Sequence, residues 1–218
     1  MSAERLPQRR GRLAAVAAEA AGCRRCPLHL NATQTVFGQG PAGAPVMLVG
    51  EQPGDGEDRA GLPFVGPAGR VLEAALEEAG IDRRRVYITN AVKHFKNVPR
   101  GKRRIHQRPN RYEVERCRWW LQLELELVRP RLTLALGATA AAALAGRTLV
   151  LSRVRGRPIT FATGLEGMVT VHPSYILRLR GDAKAEEHSR FVADLAELGR
   201  RVPEVLRPEL RGGAAAMR

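Results

Sequence analysis

The sequence predicts a three-layer α/β/α sandwich on a central four-stranded parallel sheet. Two observations carry this. Short apolar runs of strand length alternate with segments of helical periodicity, and the first run is apolar throughout and ends in Gly, as a buried parallel strand does. Strands that alternate with helices give a parallel sheet between two helical layers. In order, Leu13 to Ala21 is alanine-rich and reads as a short helix running into Cys23-Arg-Arg-Cys26. Pro45 to Gly50 is the first strand. Pro67 to Ala79 has helical periodicity through Val71, Leu72, Ala75 and Leu76, closed by Gly80. Val86 to Thr89 is the second strand. Arg111 to Val128 is a long helix with Val114, Cys117, Leu121 and Val128 on or near one face. Leu132 to Leu136 is the third strand, followed by a helix over Ala138 to Ala145. Met168 to Val171 is the fourth strand, and Ala183 to Arg200 the last helix. No internal repeat is visible.

The chain has 218 residues, enough for one core without disulfide staples. Residues 1–202 read as a single domain, and 203–218, rich in Pro, Gly, Ala and Arg, as a disordered tail. With 44% hydrophobic residues, disorder over most of the length is excluded. No run approaches the ~18 apolar residues of a membrane span, and no secretory apolar core follows the basic N-terminus, so a cytoplasmic protein without membrane contact is expected. Lys and Arg number 36 against 22 Asp and Glu, a formal charge of +14, mostly from Arg. Such a surface calls for a polyanion, with nucleic acid the leading candidate and a GC-rich genome the bland source of the Arg. The three cysteines Cys23, Cys26 and Cys117 cannot pair completely. In a cytosolic chain a C-x-x-C points to metal or redox chemistry.

Ligands of parallel α/β sheets bind at the carboxyl ends of the strands. After the first strand comes Gly50-Glu-Gln-Pro-Gly-Asp55, after the second Asn90-Ala-Val-Lys-His94, and after the fourth His172-Pro-Ser174. A carboxylate, an amide and an imidazole thus converge on one edge. Singly, each is more often structural than functional; together they mark a site.

These segments, with Gly61-Leu-Pro-Phe-Val-Gly-Pro-Ala-Gly69 and Tyr87-Ile-Thr-Asn90, resemble the motifs of the iron–sulfur uracil-DNA glycosylases close to family 4, from about Cys23 to Arg200. Gln52 and the segment Gly101-Lys-Arg-Arg-Ile-His106 resemble the UdgX branch, whose members become covalently linked to uracil-containing DNA. The resemblance implies the uracil-DNA glycosylase fold, uracil-containing DNA (single- or double-stranded) as partner, uracil as product and a monomeric chain. It implies that Phe64 stacks on the flipped base, that Asn90 offers the donor and acceptor matching uracil O4 and N3–H, and that Gly50 and Ser174 line the substrate site. His172 would donate to O2, where charge grows as the glycosidic bond breaks. Glu51, Asp55 and Gln52 would belong to the catalytic group, with Glu51 orienting His106 as the nucleophile. Lys102, Arg103, Arg104, Leu177 and Arg178 would meet the DNA, Leu177 or a neighbour as the wedge. A conventional glycosylase with His106 a bystander, and a non-catalytic iron–sulfur nucleic-acid binder, remain the competing readings.

Three cysteines are one ligand short of a four-cysteine cluster. The relatives carry a cysteine shortly after the uracil-reading Asn, where this chain has His94. The resemblance therefore implies a [4Fe-4S] cluster held by Cys23, Cys26, His94 and Cys117, with His29 competing for the fourth place and a Cys₃His zinc site the chemical alternative.

Overall fold

The computed structural model describes residues 5–162 and 164–208. The chain opens with α1 (Leu6–Ala21) and β1 (Val46–Gly50), then α2 (Asp55–Ala60), α3 (Pro67–Glu78) and β2 (Val86–Asn90). A hairpin, β3 (Asn97–Arg100) and β4 (Arg103–His106), leads to α4 (Arg111–Val128), β5 (Leu132–Leu136) and α5 (Ala138–Ala145). The last elements are α6 (Leu151–Val154), β6 (Ile159–Thr160), β7 (Glu166–Thr170), α7 (Pro173–Arg178) and α8 (Gly181–Arg201).

The central sheet runs β2-β1-β5-β7-β6. The first four strands are parallel, with β1 between β2 and β5 and with Gly50 opposite Asn90 at the carboxyl end. All five residues of β1, β2 and β5 are buried, because helices cover both faces. Alternate residues divide the core. Leu48, Ile88, Leu134 and Met168 pack with Leu72 and Leu76 of α3 and with Phe191, Leu195 and Leu198 of α8. Met47, Val49, Tyr87, Ala135 and Val169 pack on the other face with Leu13 of α1, Leu121 and Leu125 of α4, and Ala140 and Leu144 of α5.

The predicted sandwich is therefore present, with one strand more than the four expected. β6 is a two-residue antiparallel edge strand paired to β7 through Ile159–Gly167 and Thr160–Glu166, so the sheet is mixed. Two residues carry no readable periodicity, and the strand is defined instead by Phe161 folding over Gly167, where any Cβ would lie 2.0 Å from the ring. Beyond α8, Pro203–Val205 form a 3₁₀ turn and Val205 is fully buried. Asp82 N donates to Val205 O at 2.8 Å and Arg207 N to Gly80 O at 2.9 Å. Val202 and Val205 pack into the core with α3 and α8. Residues 209–218 of the expected tail lie outside the described residues. No helix among those described is long and apolar enough to cross a membrane.

Candidate active site

The carboxyl ends of β1, β2, β5 and β7 meet the β3–β4 hairpin. The hairpin turns at Gly101, whose φ of +58° suits a residue without Cβ, and pairs Asn97 with His106. Gln52 fastens its base: the side-chain amide donates to Gln107 O at 2.9 Å, and its carbonyl accepts from Lys96 N at 3.0 Å. This brings His106, last residue of β4, to Glu51, first residue beyond β1, with Nε2 3.5 Å from Oε1. The His106 side chain is 52% exposed and Glu51 21%, so the imidazole is open to a ligand while the carboxylate is mostly shielded.

Thr139, in the first turn of α5, donates its hydroxyl to Glu51 Oε2. Arg108 Nε lies 3.8 Å from the same oxygen and 3.3 Å from Thr139 Oγ1. Oε2 is thereby occupied and Oε1 is the oxygen left facing His106. Thr139 was not among the sequence candidates. The sequence signal is its position just after Leu136-Gly-Ala, at the carboxyl end of β5. These residues, with Gln52, Gly137, His172, Ser174 and Arg178, line a cavity of about 330 Å³.

Gly50, Phe64 and Asn90 meet beside this cavity. A Cβ on Gly50 would lie 2.4 Å from Asn90 Oδ1 and 2.6 Å from Phe64 Cζ, so only glycine leaves the ring and the amide this close. Phe64 has φ +57°, a left-handed conformation that is costly for an aromatic residue. The surrounding backbone enforces it: Gly69 approaches so closely that a Cβ there would meet Phe64 O at 1.8 Å. The buried Glu57 ties the two glycine-rich segments together, accepting from Gly54 N at 3.1 Å and Gly66 N at 2.8 Å. Asn90 Oδ1 is buried and has no hydrogen-bond partner among the described residues. A buried amide oxygen left unpaired costs about 1–3 kcal/mol, so it is an acceptor awaiting a donor.

His172 begins α7 and stands 6.0 Å, ring to ring, from Phe64. Ser174 N donates to His172 Nδ1 at 3.2 Å, and the Ser174 hydroxyl lies 2.8 Å from the same atom. Because the amide can only donate, Nδ1 is an acceptor and the ring proton resides on Nε2. Burial, reinforced by the nearby His106 and Arg178 side chains, pushes the His172 pKa down to about 4. At neutral pH this is a neutral imidazole carrying one N–H. Arg178 reaches Ser174 Oγ at 3.4 Å, and Leu177 is 41% exposed beside it.

Two expected roles meet other partners in the structure. Asp55 is engaged by Arg59 at 2.9 Å and Arg104 at 2.6 Å, which hold its carboxyl below the usual range. Arg104 also binds the fully buried Asp58 at 2.6 Å, reaches Thr33 Oγ1 at 3.0 Å and lies 5.3 Å over the Phe95 ring. Its guanidinium anchors the hairpin to α2. Lys102 and Arg103 remain exposed at the hairpin tip.

Cys23, Cys26 and Cys117 share one buried cluster with Ala20, Leu28, Val92 and Trp120. Trp120 Nε1 donates to Cys23 Sγ and Lys93 N to Cys117 Sγ, each at 3.1 Å. Burial pushes the Cys117 thiol up to about 12, and Cys26 and Cys23 add to that shift. Three buried thiols, two of them with an N–H donor aimed at sulfur, fit a thiolate-bound group. His94 is buried, with its Nε2 3.1 Å from Thr35 Oγ1, and His29 Nδ1 is 2.7 Å from Cys26 O. Among the described residues no set of three or more His, Cys, Asp or Glu is close enough together to enclose a metal ion.

The profile of a family described as the uracil DNA glycosylase superfamily matches residues 37–196. The chain is 40% identical over 161 residues to the type-4 uracil-DNA glycosylase of Thermotoga maritima, covering 73% of this chain and 80% of that one. It is 39% identical over 170 residues to the type-4 enzyme of Pyrobaculum aerophilum, covering 73% and 83%. To the type-5 uracil-DNA glycosylase of the same organism it is 31% identical over 208 residues, covering 79% and 88%. With this match across the strands and loops that build the cleft, the chain belongs to the uracil-DNA glycosylase superfamily.

Proposed function

We propose that this protein excises uracil from DNA and becomes bonded, through His106, to the abasic sugar it creates. The observation that carries the second half is the pairing of His106 Nε2 with Glu51 Oε1 at the open edge of the cavity. The flipped uracil stacks on Phe64, donates its N3–H to Asn90 Oδ1 and accepts at O2 a hydrogen bond from His172 Nε2–H. As the C1′–N1 bond breaks, uracil leaves with both electrons, and the sugar carbon becomes cationic. His106 gives its Nε2 proton to Glu51, and the freed lone pair bonds to C1′. The proton then passes to the departing uracil anion, so mass and charge balance without water. A neutral imidazole held beside C1′ has a large advantage over bulk water, and its product has no good leaving group. Lys102 and Arg103 face the phosphates from the hairpin tip, and the exposed Leu177 is the wedge.

The decisive assay counts uracil released per chain. The wild type is expected to stop near one uracil per protein, whereas His106→Ala, open to water, continues past it. A wild type that turns over many times and loses nothing in His106→Ala would contradict the proposal. Thr139→Val removes the donor that fixes Glu51 and is expected to slow capture about tenfold or more in single-turnover kinetics, with Thr139→Ser restoring it. Hydrogen bonds to charged groups are commonly worth about 1.5–3 kcal/mol.

We further propose that Cys23, Cys26 and Cys117, with His94 as fourth ligand, hold a [4Fe-4S] cluster. When bound, the cluster cross-links the end of α1, the loop after β2 and α4; no chemical step passes through it. Anaerobically purified protein is expected to be brown and to contain about four irons per chain. Stoichiometric zinc would contradict the assignment.

A further inference from the structure

Beside the catalytic cavity lies a groove of about 530 Å³ between α4 and α5. We propose that it holds the single DNA strand on one side of the flipped nucleotide, a reading that rests on uracil-containing DNA being the substrate. Its walls carry Arg108, Arg111, Arg118 and Arg147, and its floor includes Val114 and Ala143. The one carboxylate in the lining, Glu115, is paired to Arg111 at 2.7 Å, so the walls present surplus positive charge. Arg108 and Thr139 line both this groove and the catalytic cavity, so the two are neighbours with a common wall. A strand that places its uracil beside Glu51 and His106 has its next phosphates at Arg108, and beyond it at Arg118 and Arg147. Guanidiniums over a small-residue floor match an extended phosphate chain with its sugars turned inward. The side chains are too few and too uniform to read base edges, so the groove adds affinity without sequence preference.

The test uses the full chain and single-stranded oligonucleotides whose one deoxyuridine is 2′-fluorinated, which resists cleavage and leaves binding measurable at equilibrium. The Arg118→Gln/Arg147→Gln variant is expected to bind a long oligonucleotide roughly tenfold more weakly. The slope of log K against log salt should shrink by about 1.4, two contacts at about 0.7 each. Shortening the oligonucleotide on one side of the uracil should weaken the wild type but not the variant; shortening the other side should affect both alike. The control is Arg84→Gln/Arg85→Gln, which removes equal charge just before β2, at the amino end of the sheet. An Arg118/Arg147 variant with wild-type affinity, slope and flank dependence would overturn the proposal, and so would equal losses in the control. Failure of the functional reading looks different: no uracil would be released from ordinary uracil-containing DNA by any of these proteins.

Discussion

Replacing His172 by Ala is expected to slow uracil release by roughly 10²–10³-fold, the loss typical of one preorganised donor to a developing oxyanion. The expectation follows from the tautomer. Ser174 N occupies Nδ1, so the single ring proton is on Nε2, and a pKa near 4 keeps the ring neutral. A neutral donor gains strength as charge develops on O2 and does not have to surrender a full charge afterwards. Single-turnover release from uracil-containing DNA measures this, and a loss below tenfold would remove His172 from the role. The same shift sets a pH dependence. Between about 6.5 and 4 the unfolded chain takes up a proton at this ring that the folded chain does not. Stability therefore falls as pH drops through that window, and His172→Gln should flatten that part of the decline.

Lys93→Met is expected to destabilise the fold by about 3–5 kcal/mol, the cost of leaving one member of a buried ion pair alone. Lys93 and Glu124 are both fully buried and ion-paired. Lys93 Nζ also donates to Thr89 Oγ1 at 2.6 Å and Asn90 O at 2.7 Å, and lies 5.5 Å from the Phe37 ring centroid. Glu124 accepts from Tyr87 OH and Gly38 N, each at 3.0 Å. Removing the ammonium strands the carboxylate beneath β2 and frees the carbonyl of Asn90. Denaturant unfolding measures the loss, and Lys93→Met/Glu124→Leu should recover part of it. A single variant within 1 kcal/mol of wild type would show that the pair is dispensable.

The layers were legible because they follow from periodicity alone. Leu132–Leu136, Ala138–Ala145 and Arg111–Val128 were bounded by the same residues in sequence and structure, since each is a run of one character ended by Pro, Gly or a polar cap. The β3–β4 hairpin is legible in the sequence only as a basic loop. Its strands are charged and contain Pro99, so neither alternation nor apolar content marks them, and the paired strands are held by Gln52, Asp55 and Asp58, all distant in sequence. Charge also fails to announce its partner: Arg104 looks like a phosphate ligand beside Lys102 and Arg103, yet Asp55 and Asp58 lie 49 and 46 residues away in sequence. Thr139 escaped because a threonine after Gly-Ala carries no motif. Its importance lies in the oxygen of Glu51 that it occupies, which only the fold reveals.

The proposed covalent step is the bond between His106 and the abasic sugar. Protein incubated with a uracil-containing oligonucleotide, denatured, digested with protease and nuclease and examined by tandem mass spectrometry tests it most directly. One modified peptide per chain is expected, bearing the deoxyribose remnant on the His106 ring and lacking the uracil mass. A remnant on any other side chain, an adduct that persists in His106→Ala, or complete release of abasic DNA from denatured wild type would contradict it.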